Sequence, residues 1–300
     1  MDFGESLELV GLSHLADDLA RAARSPAPLL LIGSAGSGRT WLARRLHEQS
    51  PRAGGPLVEV DPLLVPSALF DSELFGHRRG AFTGAVEDRK GRVALAEGGS
   101  LLVDRLEELP SEVQVKLLRL IAEGEYTPLG GRQRRADVRF LAAASPQLHD
   151  RVRRGLFRRD LLYRLEVLVF ELPELGARAL DWERLARALL AEAGERLGLE
   201  VPETRSDTLR SLGARAWPGN LTQLRSVLDR ALLQHEGPGP LRLPLGERHE
   251  EPRPRSLRQA EHEAILRALA YARGNQTQAA EILGISRKSL WERRKRLGIP

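Results

Sequence analysis

The sequence predicts an α/β protein with a mostly parallel sheet, then a smaller all-α part, then a separate basic helical end. Three observations predict it. A short apolar strand at Leu29 to Ile32 runs into a Gly-rich turn and then a helix through about Gln49. Further apolar runs at Leu57 to Val60, Leu101 to Val103, Val138 to Ala143 and Leu168 to Leu172 are separated by helical stretches such as Ser111 to Glu123. That alternation favours parallel strands joined by crossover helices. After Pro173 the strand patterns stop, and Asp181 to Leu197, Ser206 to Leu212 and Asn220 to His235 read as helices.

The chain has 300 residues, room for two or three domains, with 42% hydrophobic and 29% charged residues, which excludes disorder as the main state. The absence of Cys excludes disulfides, thiolate metal sites and Cys nucleophiles, and the seven His show no metal-ligand spacing. Asp2, Glu5 and Glu8 stand where a secretory leader needs positive charge, and no apolar run approaches the roughly 18 residues that span a bilayer. A cytoplasmic protein without a membrane partner is expected. Net charge is +5 and unevenly placed: residues 253–300 hold 11 Lys and Arg against 4 Asp and Glu, leaving 35 against 37 in the first 252. The C-terminus is therefore the end that seeks an anionic partner.

Residues 237–256 hold five of the 18 prolines and read as a semi-rigid linker. Beyond them three helical patterns follow, Leu257 to Tyr271, Thr277 to Leu283 and Arg287 to Leu297. The domain expectation is an α/β core over 1–175, a helical subdomain over 176–236, the linker, and a helical domain over 257–300.

Gly33, Ser34, Ala35, Gly36, Ser37, Gly38, Arg39 and Thr40 lie between a strand and a helix, the setting of a P-loop. Glycines let backbone N–H groups wrap a phosphate, and the helix N-terminus adds partial positive charge. Arg39 stands where that motif demands Lys, and a long forked guanidinium does not replace a compact ammonium. These residues fit a phosphate cradle or a plain Gly-rich turn. Asp104 ends the Leu101 to Val103 run as a Walker B aspartate holding a Mg²⁺ ion with Thr40 would, or as a helix cap would. Arg105 follows where a hydrolase of this type places a Glu to polarise water, and a guanidinium is no general base.

The sequence here resembles the sigma-54-dependent transcriptional activators, the NtrC-like branch of the AAA+ ATPases. Asp71-Ser-Glu-Leu-Phe-Gly-His77 is similar to the family's ESELFGH stretch, and Gly80, Ala81, Phe82, Thr83, Gly84 and Ala85 spell its GAFTGA loop. Leu109 to Gly131, Phe157 to Leu165 and Trp217-Pro-Gly-Asn220 follow in family order, from about Leu9 to His235, and the last 44 residues resemble the family's Fis-type helix-turn-helix. The resemblance implies an AAA+ P-loop sheet core, an all-α lid and a Fis-type DNA-binding domain. It implies ATP or ADP with Mg²⁺ as cofactor, and a GAFTGA loop that touches sigma-54 and couples hydrolysis to polymerase remodelling. By residues alone, Phe82 is either an apolar knob on a mobile tip or a side chain tucked into the core. Arg158 and Arg164 match the family's trans-acting arginines; set on one helix they point about 240° apart, and ion pairing with Asp160 and Glu166 is the other reading. The match begins within ten residues of Met1, so no receiver domain is expected ahead of the core.

Departures from the family pattern cluster at the nucleotide. Besides Arg39 and Arg105, the switch Asn is Asp61, the sensor Thr-Asn pair is Ala144-Ser145, the lid Arg is Thr222, and the hinge reads Leu172-Pro-Glu-Leu-Gly-Ala-Arg178. A hydrolysis-deficient member is expected, with nucleotide cradled by Gly33 to Thr40, Asp61 and Asp104. Whether Asp61 and Arg105 pair and close the pocket is left open.

Asn275 to Ser286 gives a helix, a turn at Gly284 and Ser286 as N-cap of the next helix. The expected DNA contacts are Thr277, Ser286, Arg287, Lys288, Ser289, Arg293, Lys295 and Arg296, with Ala279, Ala280, Ile282, Leu283, Leu290 and Leu297 on the core side. A merely solvated basic helix is the alternative. The family resemblance implies a dimer on an upstream palindromic site and sigma-54 RNA polymerase as partner. A homo- or hetero-oligomer is expected, and three functions stay in view: an activator in a mixed ring with an ATPase-competent paralogue, a DNA-binding repressor or scaffold with a vestigial core, and an autonomous ATP-dependent activator.

Overall fold

The computed structural model describes residues 2–244, then 261, 265, 268, 269, 272 and 275–297. Most of the expected linker and most of the expected helix from Leu257 lie outside the described residues. The chain divides into two units, Met1–Leu245 and Gly246–Pro300.

The first unit is built on five parallel strands, β1 (Leu29–Ile32), β2 (Leu57–Val60), β3 (Ser100–Val103), β4 (Arg139–Ala144) and β5 (Leu168–Glu171), in the order β2-β3-β4-β1-β5. Side chains alternate between the sheet's faces. Leu29 and Leu31 join Leu102, Leu141 and Ala143 in one core, while Leu30 and Ile32 join Val60, Leu101, Val103, Phe140 and Ala142 in the other. Burial on both faces explains why the inner strands β1, β3 and β4 read as apolar runs, while the edge strands β2 and β5 are only partly buried. β4 is an instructive departure, because it opens on buried Arg139. Two of its guanidinium nitrogens donate to the carbonyls of Ala23 and Ala22, at 2.8 and 2.6 Å, while its Nε is buried without a hydrogen-bond partner.

The first face is covered by α1 (Phe3–Leu9), α2 (Ala16–Arg24) and α3 (Arg39–Glu48). The second takes α4 (Ser67–Phe75), the single turn α5 (Arg92–Leu95), α6 (Ser111–Glu123), α7 (Leu148–Arg153) and α8 (Arg159–Leu165). The helical part follows as α9 (Trp182–Leu197), α10 (Ser206–Arg210) and α11 (Asn220–Leu233). Asp181 caps α9 by accepting the Arg184 amide at 3.0 Å, and Gly198 ends it at φ 66°. The proline-rich stretch from 237 does not leave the fold at once: Leu241 is buried, and its amide donates to the Glu203 carbonyl at 2.9 Å.

In the second unit, α12 (Gln276–Ile282) and α13 (Arg287–Leu297) pack Ala279, Ala280 and Leu290 against Ile265, Ala268 and Ala272. Ile282, expected in this core, is 49% exposed. No helix among the described residues is long and apolar enough to cross a membrane.

Candidate functional site

Because the strands are parallel, their carboxyl ends gather four segments along one edge, where ligands of open α/β sheets bind. These are Gly33 to Thr40 after β1, Asp61 after β2, Asp104 and Arg105 after β3, and Ser145 after β4. The first of them turns on Gly36 and Gly38, at φ 74° and 97°, and delivers Arg39 and Thr40 into the first turn of α3.

Arg39 folds back into its own loop. One guanidinium nitrogen donates to the Gly33 carbonyl at 2.8 Å, another lies 3.9 Å from Asp104 Oδ1, and the side chain is 11% exposed. Thr40 Oγ1 donates to Asp104 Oδ2 at 3.0 Å, and the Arg105 amide donates to Oδ1 at 2.8 Å. Arg105 sits at φ 47°, a left-handed conformation that costs a non-glycine residue about 1 kcal/mol. The bend sends its guanidinium to Asp61: Nε donates to Oδ1 at 2.8 Å and Nη2 to Oδ2. Asp61 also accepts the Leu63 amide at 3.0 Å. Hydrogen bonding to Asp61 holds the Arg105 proton more firmly than usual. The pairing left open by the sequence is thus formed, with two carboxylates each facing an arginine.

The fit to a divalent ion is poor. Thr40 already donates to Asp104, a guanidinium stands beside that carboxylate, and no group of three His, Cys, Asp or Glu able to hold a metal occurs among the described residues. Hard cations want several unencumbered oxygens.

Asn220 and Arg178, given by the sequence only as members of motifs and not as site residues, close the loop from behind. Asn220, in the left-handed region at φ 50° and 1% exposed, donates to Ser34 Oγ at 3.0 Å and to the Ala35 carbonyl at 2.9 Å, and accepts the Leu175 amide at 2.7 Å. The Leu221 amide donates to the Gly36 carbonyl at 3.0 Å, and a Cβ on Gly36 would lie 2.4 Å from the Gly219 carbonyl. Buried Arg178 donates to the carbonyls of Ser37, Pro173 and Val10 at 2.5, 3.0 and 3.2 Å, and burial lowers its pKa to about 10. The Trp-Pro-Gly-Asn motif was the only signal for Asn220. Glu107 was also missed: its Oε1 accepts the Ser145 amide at 3.0 Å, while its Oε2 and the Ser145 hydroxyl are buried without hydrogen-bond partners.

The GAFTGA segment forms a closed turn. The Gly80 amide donates to the Ala85 carbonyl at 2.8 Å and the Ala85 amide to the Phe82 carbonyl at 3.0 Å, with Gly80 and Gly84 at φ 80° and 101°. Phe82 takes neither sequence-based alternative. It is half-buried, edge-on to His77 with ring centroids 5.0 Å apart, while Ala81 is half-buried, Ala85 buried and Thr83 exposed. At the base Asp88 accepts from the Arg79 amide at 2.8 Å and from the Arg78 guanidinium, contacts that depress its pKa.

Arg158 and Arg164 are both exposed. Arg158 lies at the N-cap of α8 with extended backbone, so the helical phase expected between the two arginines does not apply. It pairs with Asp160 at 3.0 and 2.7 Å, whereas no ion pair joins Arg164 to Glu166 among the described residues.

In the second unit Ser286 Oγ accepts the Ser289 amide at 3.1 Å, so the expected N-cap forms, and Gly284 makes the turn at φ 66°. Thr277, Arg287, Lys288, Lys295 and Arg296 are exposed, with Ser289 and Arg293 half-buried. Arg293 and Arg296, both expected as DNA contacts, each reach Glu261 at 2.7 Å. Trp291, unremarked in the sequence, is 55% exposed, with Lys295 Nζ 5.4 Å from its ring.

Comparison with known proteins bears on the whole chain. Residues 8–171 match the Sigma-54 interaction domain, 177–254 the AAA+ ATPase lid domain, and 256–297 the Fis family of bacterial regulatory proteins. The DNA-binding transcriptional regulator NtrC of Rhizobium meliloti is 34% identical, over 99% of this chain and 71% of its own. The response regulator protein PilR of Pseudomonas aeruginosa is 38% identical, over 95% of this chain and 67% of its own. Among solved structures, NtrX from Brucella abortus in complex with ATP superposes with a TM-score of 0.70 at 27% identity, covering 99% of this chain and 68% of that one. The chain belongs to the sigma-54-dependent, NtrC-like family of DNA-binding transcriptional regulators, with an AAA+ core, a lid and a Fis-type helix-turn-helix.

Proposed function

We propose that this regulator binds an adenine nucleotide without turning it over, and acts at sigma-54 promoters by lending its GAFTGA loop to a mixed ring with an ATPase-competent paralogue. The observation that carries the reading is Arg105. The position that needs a water-polarising carboxylate holds a guanidinium already engaged with Asp61. Losing a general base costs roughly 10² to 10⁴-fold in rate, and Thr222 in place of the lid Arg removes a further charge from the γ-phosphate. Nucleotide binding is supported by the loop itself, Gly33 to Thr40, with Asp61 and Asp104 at its mouth, and by the ATP complex of the related NtrX.

In this reading Gly80 to Ala85 contact sigma-54, with Thr83 at the exposed tip. Arg158 and Arg164 serve the neighbouring subunit's γ-phosphate, Arg158 leaving Asp160 to do so. Thr277, Ser286, Arg287, Lys288 and Ser289 meet an upstream palindromic DNA site, with Arg293, Lys295 and Arg296 toward the phosphates. The cytoplasm is where such partners reside.

Steady-state hydrolysis by the purified protein tests the first half. The expected result is turnover near background, raised in an Arg39→Lys plus Arg105→Glu variant; turnover typical of an AAA+ ATPase in the native protein refutes it. Titration into the paralogue tests the second half. A change in the paralogue's rate is expected, and a flat titration together with DNA occupancy insensitive to Thr83 substitution leaves a DNA-binding repressor instead.

A further inference from the structure

The charges around the Gly33 to Thr40 loop are already balanced before any ligand arrives. Asp104 faces Arg39 at 3.9 Å, accepts from Thr40 at 3.0 Å and accepts the Arg105 amide at 2.8 Å. Asp61 is taken by Arg105 and the Leu63 amide. The two carboxylates that would draw a divalent ion to this edge are therefore both neutralised by guanidinium groups. Arg39 is 11% exposed and anchored to the Gly33 carbonyl at 2.8 Å, so it cannot swing away cheaply. A divalent ion at Thr40 and Asp104 would meet its positive charge at close range, in a partly desolvated pocket where such repulsion is weakly screened.

The same loop keeps what an anion needs. Gly36 and Gly38 hold positive φ and α3 starts at Arg39, the arrangement that turns amides toward a phosphate. Ser37 is 1% exposed with a hydroxyl that has no partner. Arg39 already lies inside the loop, with donors to spare beyond the one spent on Gly33.

From these contacts we propose that the site takes a nucleoside polyphosphate as the free anion, not as its magnesium complex, with Arg39 standing where the divalent ion would sit. The proposal rests on the nucleotide-binding reading above and narrows it to metal-free ligand. It ties the unusual residues together: one substituted arginine supplies the countercharge, and the other occupies the acidic residue that would otherwise compete for it.

The test is calorimetric titration of the full chain with ATP, once in excess EDTA and once in millimolar Mg²⁺. Affinity in EDTA is expected to equal or exceed that in Mg²⁺, since magnesium withdraws the free anion. Strengthening by magnesium beyond about threefold overturns the proposal and leaves nucleotide binding standing. Absence of binding under both conditions removes the nucleotide-binding reading and the proposal with it. Arg39→Met, checked for folding by circular dichroism, provides a second readout. It is expected to weaken binding in EDTA by at least about tenfold, and magnesium is expected to restore much of the loss by entering beside the freed Asp104. A variant that binds as well as the native chain in EDTA, or that magnesium fails to rescue, overturns the assignment of Arg39.

Discussion

Replacing Asn220 by Ala should cost more than any exposed substitution in the chain, and the contacts give the magnitude. The Leu175 amide, held at 2.7 Å by Oδ1, would be left buried without a partner, at about 1–3 kcal/mol. The two donors to Ser34 Oγ and the Ala35 carbonyl contribute about 1 kcal/mol each. Alanine at φ 50° adds about 1 kcal/mol that asparagine largely avoids. The expected loss is about 4–6 kcal/mol, toward the lower end if water enters the gap. Asn220→Gly separates the terms, since it loses the same bonds without the backbone strain and should recover about 1 kcal/mol. Urea unfolding followed by tryptophan fluorescence suits the measurement, because Trp217 is buried, stacks on Trp182 and bonds the Leu212 carbonyl at 3.0 Å. A Trp291→Phe background removes the signal of the second unit. A loss below about 1.5 kcal/mol would refute the claim that Asn220 pins the loop.

The other predictions can be checked with the same protein. Buried His47, whose Nδ1 lies 2.9 Å from Ser100 Oγ, has its pKa lowered by burial, so the unfolded chain takes up its proton first. Stability should fall as pH drops through the ordinary His range near 6.5 and level off below the folded value, and His47→Gln should flatten that slope in urea midpoints between about pH 7.5 and 5.5. Gly99→Ala should destabilise by about 2 kcal/mol or more, because its Cβ would fall 2.0 Å from the Pro56 carbonyl; an unchanged melting temperature would contradict the packing. Asp61→Asn should raise ATP affinity severalfold by releasing Arg105 toward the phosphates, read by calorimetry. Arg287→Ala should weaken binding to the chain's own site by about 1–3 kcal/mol and relax sequence preference, whereas Arg296→Ala should lower affinity evenly across sequences and flatten the salt dependence.

Much of the fold was legible because its strands are short, mostly apolar and spaced by helical patterns; Leu29–Ile32 and Leu57–Val60 fall where the sequence put them. β4 was displaced by one residue at each end, a boundary that an apolar run does not fix, and nothing in local periodicity reveals that Arg139 points inward to carbonyls more than a hundred residues away. The same reason hid the back of the loop. Arg178 and Asn220 reach Ser37 and Ser34 across separations of 141 and 186 residues, and no short motif encodes such contacts. Glycine spacing and a strand-end carboxylate did reveal the turn after β1 and the place of Asp104, because a strand, a Gly-rich turn and a helix leave a local pattern. The helical phase expected between Arg158 and Arg164 fails because the helix begins one residue after Arg158, a matter of capping that composition alone does not resolve, whereas its pairing with Asp160 is present.

The closed turn at Gly80 to Ala85 bears on how a partner would meet the tip. Two internal amide bonds and the His77 ring fix its shape in the free protein. Whatever docks there meets a preorganised knob and spends little entropy on ordering it, so affinity depends on the few atoms at the summit, Thr83 above all. The knob also stands on a closely packed base. Its pedestal is the strand pair Gly76 to His77 and Arg89 to Lys90, where Gly76 and Gly91 touch so closely that neither accepts a Cβ. The segment is a short finger on a two-glycine base, and a methyl group at either glycine would force the base apart while leaving the bonds of the fingertip intact.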